Sequence, residues 1–393
     1  MFEEDYKNCF ELIDELKADT DTTPSDWLVE QTEKFCQEKA LHNAILESIQ
    51  ILDGKSKTDK SKGSIPQILS DALSISFDPN IGHDYIDNAA ERYEFYHRKE
   101  TRIPFDLDFF NRITKGGLPQ KTLNIALAGT GVGKSLFMCH MAAGCLTQNL
   151  NVLYITMEMS EERIAERIDA NLLNVKLDDL ANLPKDIYER KISRLKENIK
   201  GKLIIKEYPT ATASSIHFRN LLNELALKKH FIPHIIFIDY LNICSSARLK
   251  HGANVNSYSY IKAIAEELRG LAVEFSVPIV SATQTTRSGF TNTDPGLEDT
   301  SESFGLPATA DMMFALITSE ELESLNQIMV KQLKNRYNDP TLNKKFAIGI
   351  DRSKMRLYDI EESAQSGISD SGQKSSTQSS QNSSKSKFSG LKV

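Results

Sequence analysis

Residues 128–135 read AGTGVGKS. A glycine-rich run closing on Lys-Ser suits one task, the holding of a phosphate chain. Gly129, Gly131 and Gly133 let backbone N–H groups close around an anion, Lys134 brings a point charge to the β- and γ-phosphates, and Ser135 offers a hydroxyl to Mg²⁺. Thr130 and Val132 complete the loop. Ala128 stands where the GxxxxGK[ST] pattern has its first Gly, and it is small enough for the turn. The chemistry expected is binding of ATP with Mg²⁺, and five further elements bear on what happens to the nucleotide.

Asp239 ends the apolar run HIIFIDYL, where a carboxylate beside the loop can hold Mg²⁺ through water, a helix or turn cap being its alternative. Glu158 follows NVLYITM, on a strand expected next to the one that feeds the loop, and is placed to polarise water for attack on a γ-phosphate. A helix-start charge is its alternative. Arg167 lies nine residues on, and by spacing alone it reads as a solvated surface charge. Gln284 ends VPIVSAT and can sense the γ-phosphate, although a plain loop-start glutamine fits equally well. In IMVKQLKNRYND, Lys334 and Arg336 are two apart and share one side of a strand end. Cations so far downstream suit a finger supplied to a neighbour's nucleotide, with an exposed charge pair as the alternative.

These residues need a scaffold, and the hydrophobic pattern supplies one. From Thr122 onward TLNIALA, NVLYITM, LIIKE, HIIFIDYL, VPIVSAT, MMFALIT and IMVKQL alternate with helical stretches. Continuous apolar strands separated by helices signal an α/β fold whose mostly parallel sheet is covered on both faces. This domain is expected over 77–362. Ahead of it, Tyr6, Phe10, Ile13 and Leu16, then Leu41, Ala44, Ile45, Ile49 and Leu52, recur at helical spacing, so 1–52 reads as part of a helical assembly domain. DGKSKTDKSKGS (53–64) is a flexible linker by composition. A linker helix over 65–76, capped by Ser64 with Pro66 in its first turn, presents Ile65, Ile68, Leu69, Ala72 and Leu73 on one face. It is expected to dock on a neighbouring subunit, packing on its own domain being the simpler alternative. The tail, 363–393, is dominated by Ser, Gln, Gly and Lys and is expected to be disordered.

Composition removes several classes. The 393 residues include 47 Lys and Arg against 54 Asp and Glu, a net charge of −7, so nucleic acid can be met only in a local basic channel. No apolar run approaches the ~20 residues needed to cross a bilayer, and the acidic start is unlike a signal peptide. Five cysteines without a CxxC pair argue against zinc or a disulfide framework and fit a reducing cytoplasm.

Taken together, AGTGVGKS, YITMEMSEE, IIFIDYL, VPIVSATQTTR, LPATADMM and LKNRYND resemble, in that order, replicative DNA helicases of the DnaB type. ITKGG, RIDANLL, LLNELALKK and GLPATAD resemble the wording of the T-even-like bacteriophage members. The resemblance implies a RecA-type P-loop NTPase, forming a homohexameric ring that moves 5′-to-3′ on single-stranded DNA by hydrolysing ATP. It also implies a primase and a loader as partners, and the host cytoplasm as location if a phage encodes the chain. By resemblance Lys134 and Ser135 are the P-loop pair, Glu158 the catalytic carboxylate, Asp239 the metal-side aspartate and Gln284 the coupling glutamine. Arg167 belongs to the same nucleotide site, and Lys334 with Arg336 reaches into the adjacent subunit. Ser301, Glu302 and Phe304 resemble a DNA-facing loop, although the family usually has Arg where this chain has Ser301. Arg248 and Lys250 mark a second candidate loop, for which a solvated surface cluster is the alternative. Such helicases carry a complete helical domain before the linker, so this chain is expected to be N-terminally shortened. A RecA-like recombinase filament shares several of these elements. A loader or scaffold with a dead P-loop is disfavoured by Lys134, Glu158 and Asp239.

Overall fold

The computed structural model describes residues 25–53, 62–73, 75–77, 84–97, 100–249, 256–285, 296, 305–361 and 365. The helix expected around Tyr6 to Leu16, most of the 53–64 linker and nearly all of the 363–393 tail lie outside them. The chain divides into two units, Met1–Lys99 and Glu100–Val393. The boundary between the units falls at 99/100, within the stretch expected to open the α/β domain from 77. Helix Ala89–His97, unread in the sequence, falls in the first.

In the first unit, helix Ser25–Leu52 buries Ala44, Ser48 and Ile51, a stripe at helical spacing. A 3-10 turn, Lys62–Ser64, leads into helix Ile65–Leu73, which packs against the long helix and buries Ala72. The Phe77 N–H donates to Glu33 Oε1 (3.1 Å) and Gln37 Nε2 to the Ile75 carbonyl (3.0 Å). Thus the linker helix already has a partner within its own unit, although Leu73 remains 70% exposed.

In the second unit, β1 (Arg102–Ile103) and β2 (Leu118–Pro119) form an antiparallel ribbon. The main sheet contains β3 (Leu123–Ala128), β4 (Val152–Thr156), β5 (Leu203–Glu207), β6 (Ile235–Asp239), β7 (Ile279–Gln284), β8 (Met312–Ile317), β9 (Gln327–Asn335), β10 (Lys345–Asp351) and β11 (Arg356–Asp359). Their order is β11-β10-β9-β8-β3-β7-β6-β4-β5. Strands β8, β3, β7, β6, β4 and β5 are mutually parallel, and β9, β10 and β11 extend the sheet antiparallel beyond β8. The expected α/β architecture with a mostly parallel sheet is therefore present.

One expectation of neighbourhood is corrected. The strand leading to Glu158, β4, does not border the loop strand β3, and neither does the Asp239 strand β6. The chain returns after β4 to lay β6 and then β7 into the space between β4 and β3. The strand that borders β3 on that side is β7, whose Gln284 sits opposite Ala128.

Alternation along β3 assigns its side chains to two cores. Leu123, Ile125 and Leu127 join the layer containing Phe218, Leu222, Ile264 and Leu268. Ala126 and Ala128 face the layer containing Phe110, Phe137, Phe314 and Phe346. Small residues on that side let helix Lys134–Thr147, almost wholly buried, lie close over the sheet.

Candidate active site

The parallel strands end together on one edge of the sheet, and the nucleotide loop lies there. Chain leaving β3 at Ala128 passes Gly131 (φ +78°) and Gly133 (φ +131°) before helix Lys134–Thr147 starts. A side chain would be strained at both backbone angles, so glycine is required for the curl. Thr130, Gly131, Gly133, Lys134, Ser135 and Leu136 line a cavity of about 300 Å³, together with Glu158, Arg167, Gln284, Arg352 and Met355. Five side chains singled out in the sequence, Lys134, Ser135, Glu158, Arg167 and Gln284, thus meet around one space.

Local folding explains their placement. The Thr156 hydroxyl donates to the Met159 carbonyl (2.8 Å) and accepts from its N–H (3.1 Å), closing the turn that carries Glu158 outward. Ser160 caps helix Glu161–Leu172 by accepting from the Arg163 N–H, and this helix carries Arg167 to the cavity. Gln284 Nε2 donates to the Tyr240 hydroxyl (3.3 Å). Lys134 is buried, with its Nζ 5.5 Å from the centre of the Tyr240 ring. Burial pushes its pKa down, while the Glu158 and Asp239 carboxylates oppose the shift.

Asp239 is fully buried. Burial pushes its carboxyl above the ordinary range, opposed by the Tyr154 hydroxyl, which donates to Oδ2 at 3.0 Å. Its other oxygen, Oδ1, has no hydrogen-bond partner in the protein. A buried, orphaned carboxylate oxygen costs free energy unless a cation or its water shell satisfies it, so the donor set fits Mg²⁺. Among the described residues no group of three or more His, Cys, Asp and Glu could hold a metal, so the ion would share its coordination with the phosphates. The neighbouring Cys139 thiol is pushed up to about 12 by burial and is structural rather than reactive.

Lys334 and Arg336 stand elsewhere. They lie at the end of β9 that pairs with the start of β8, opposite the loop edge of the sheet. Lys334 Nζ donates to the carbonyls of Pro307 (2.6 Å) and Ala308 (2.9 Å), and Arg336 Nη1 to Asp311 Oδ1 (2.9 Å). Neither lines the cavity of its own chain. Arg248 is ion-paired to Glu266 at 2.7 Å on helix Ser257–Glu274, and also donates to the Ala263 carbonyl. Lys250, Ser301, Glu302 and Phe304 lie outside the described residues.

The family model of the DnaB-like helicase C-terminal domain matches residues 103–352, a span that contains the whole of this cavity except Met355. The DnaB-like replicative helicase of Enterobacteria phage T4 is 44% identical over 370 residues, 92% of this chain and 77% of that protein. The chain belongs to the DnaB-like replicative helicases. These are ATP-hydrolysing DNA helicases, and the matches support that activity over a recombinase. The replicative helicase DnaB of Helicobacter pylori J99 is 29% identical over 225 residues, 56% of this chain but 44% of that protein. Among solved structures, a DnaB-like replicative helicase described with its interactions with primase superposes at a TM-score of 0.60 and 18% identity, covering 90% of this chain and 83% of the other. A second solved chain, an isolated ATPase domain, superposes at 0.58 and 20% identity, covering 71% of this chain and 100% of the other. Both show that the helicase has the RecA-type ATPase fold.

Residues that sequence reasoning missed include Tyr154, Tyr240, Met355 and Arg352. Tyr154 lies inside the apolar strand that leads to Glu158 and Tyr240 directly follows Asp239, so each is a polar-tipped aromatic near a recognised position. Arg352 is 221 residues from Gly131, and no local pattern marks it.

Proposed function

We propose that this helicase works as a homohexameric ring that encircles single-stranded DNA, moves 5′-to-3′ and hydrolyses ATP at sites shared between adjacent subunits. The observation that carries this reading is the separation within one chain of the phosphate loop and the Lys334–Arg336 pair, which lie at opposite ends of the same sheet. A cation that cannot reach its own nucleotide suits the nucleotide of the next subunit.

In each site Lys134 binds the β- and γ-phosphates and the loop N–H groups hold the phosphate chain. Glu158 takes the proton of the attacking water, Gln284 senses the γ-phosphate, and Arg167 adds charge to the same site. Ser135 and Asp239 would hold Mg²⁺, which on binding draws off charge from the phosphate oxygens. Arg336 and Lys334 of the adjacent subunit stabilise charge that grows in the transition state.

Trp27, Phe35, Ile45, Leu46 and Ile49 are exposed on helix Ser25–Leu52, which supports a helical assembly region in the first unit. An apolar groove lined by Leu146, Ile168, Leu172, Leu195, Ile199 and Leu203 offers a neighbour's linker helix a seat. DNA contact is assigned to the loops around Arg248 and Lys250 and around Ser301, Glu302 and Phe304. Primase and a loader are the expected protein partners, and the host cytoplasm the expected location. Among the described residues no helix is long and apolar enough to cross a membrane. Electron microscopy with ATP and a single-stranded oligonucleotide tests the central proposal: closed six-membered rings support it, and open filaments overturn it.

A further inference from the structure

A guanidinium from late in the chain touches the phosphate loop of the same chain. Arg352 opens the 3-10 turn Arg352–Lys354 between β10 and β11. Its Nη1 donates to the Gly131 carbonyl (3.2 Å) and its Nη2 to the Val132 carbonyl (3.4 Å). The C=O and N–H of one planar peptide point in opposite directions. The Gly131 carbonyl shares its peptide with the Val132 N–H, and the Val132 carbonyl shares its peptide with the Gly133 N–H. Holding these two carbonyls toward Arg352, which borders the same cavity, fixes both peptides and so turns the Val132 and Gly133 N–H groups to the opposite side, the side assigned to the phosphate. The Val132 N–H otherwise closes only a long turn bond to Gly129 O (3.4 Å).

A loop containing three glycines has much conformational freedom to lose on ordering, so an external brace has something to act on. The brace is itself anchored. Asn171 Nδ2 donates to the Met355 carbonyl (2.7 Å), and Arg356 donates through Nε and Nη2 to the Asn171 carbonyl (3.0 and 2.7 Å). Asp351 accepts from the Ser353 hydroxyl (2.7 Å) and the Lys354 N–H (3.2 Å). Ile328 and Ile350 lie just beyond Gly133, where an added Cβ would meet them at 3.7 and 3.9 Å, so the antiparallel strands pack beside the loop. The Arg352–Glu323 contact, 4.0 Å between two well-exposed side chains, adds little to this pose.

We propose that Arg352 is a positioning residue for the nucleotide site of its own chain, holding the loop N–H groups in the phosphate-binding orientation. The proposal rests on reading this loop as the ATP site and assigns Arg352 a role separate from that of Arg336.

The test uses the full chain with Arg352→Gln or Arg352→Lys, a fluorescent ATP analogue for affinity, and steady-state ATP hydrolysis. Arg352→Gln should raise Kd and KM about tenfold while kcat stays within about threefold, because binding is weakened more than the chemical step. Arg352→Lys should fall between, with KM up about threefold, since an ammonium on a shorter reach keeps one carbonyl contact and loses the bridge. Mixing Arg352→Gln with Lys134→Ala subunits should not restore turnover at low ATP, because Arg352 serves the loop of its own chain. Wild-type affinity in either folded variant overturns the proposal, as does a lowered melting temperature with unchanged Kd. Recovery on mixing overturns it too, by placing Arg352 in the neighbour's site. Normal nucleotide binding by Lys134→Ala would instead show that the loop is not the ATP site.

Discussion

Arg336 reaches Asp311 at 2.9 Å, and Asp311 is among the few charged side chains buried in the second unit. The same carboxylate accepts from Arg269 Nε (3.1 Å) and Nη2 (3.1 Å) and from the Leu123 N–H (3.0 Å). Leu123 is the first residue of the strand that runs to the phosphate loop. One buried acid therefore ties the candidate finger of a subunit to the strand that forms that subunit's own nucleotide site. The Arg336 side chain is still 47% exposed, so it is oriented without being sequestered.

A guanidinium that stabilises only the transition state leaves binding nearly untouched. Arg336→Ala should bind nucleotide almost as wild type and hydrolyse it roughly 10³–10⁵-fold more slowly. Lys134→Ala subunits keep the finger and Arg336→Ala subunits keep the loop, so mixing two inactive proteins should restore some turnover. Full activity of Arg336→Ala alone would reduce the residue to a surface charge. Asp311→Asn should lower kcat by less, about tenfold, because the finger is loosened and not removed.

Lys134 and Glu158 border one cavity and are assigned different tasks. Lys134→Ala should weaken nucleotide binding, whereas Glu158→Gln should keep binding and stop turnover, since the amide cannot take a proton. Equilibrium binding and single-turnover hydrolysis separate the two, and normal turnover by Glu158→Gln removes it from the mechanism.

What could be read in advance divides along physical lines. Strands such as IIFID announced themselves because burial on both faces leaves an unbroken apolar run, and the loop did so because its glycines, lysine and serine are contiguous. Strand order was not legible, since apolar runs carry no label of their neighbours, and β7 rather than β4 proved to border β3. The β10–β11 hairpin and its Arg352 escaped for a related reason. Their role arises from a contact 221 residues away along the chain, and a lone arginine in a turn has no periodicity to betray it. Helix Ala89–His97 was not legible either, since its Tyr93, Phe95 and Tyr96 are exposed and give no amphipathic stripe.

The orphaned Oδ1 of Asp239 leads to a metal prediction. Asp239→Asn should raise the Mg²⁺ concentration for half-maximal ATP hydrolysis by roughly 100-fold, and Tyr154→Phe, which removes only the outer hydrogen bond, by about tenfold. Titration of Mg²⁺ at fixed ATP measures both. An unchanged Mg²⁺ requirement in Asp239→Asn would remove the carboxylate from the metal site.

An acidic chain that meets DNA only in a local channel, as proposed above, should bind single strands with little sequence preference and only with nucleotide. The log–log salt slope should be about −0.7 per phosphate contacted. Fluorescence anisotropy of labelled oligonucleotides across a salt series gives that slope. Equal affinity for blunt duplex in the absence of nucleotide would exclude a ring threaded by one strand.

Helix Ile65–Leu73 offers a test of assembly in which two neighbouring faces are separable. Ala72 is buried against the chain's own long helix, whereas Leu73 is 70% exposed there, so a charge at Leu73 costs the isolated chain almost nothing. If a neighbour's groove takes this helix, however, Leu73→Asp puts a carboxylate into an apolar contact, a penalty above the roughly 1–3 kcal/mol of a neutral polar group and repeated at every interface of the ring. Light scattering should then show smaller assemblies for Leu73→Asp at micromolar protein, while circular dichroism and nucleotide binding stay as in wild type. Leu69→Asp, on the half-buried side of the same helix, should disrupt assembly and also loosen the first unit. Hexamers that persist in Leu73→Asp would confine the helix to its own chain, and the ring would have to be held by other surfaces.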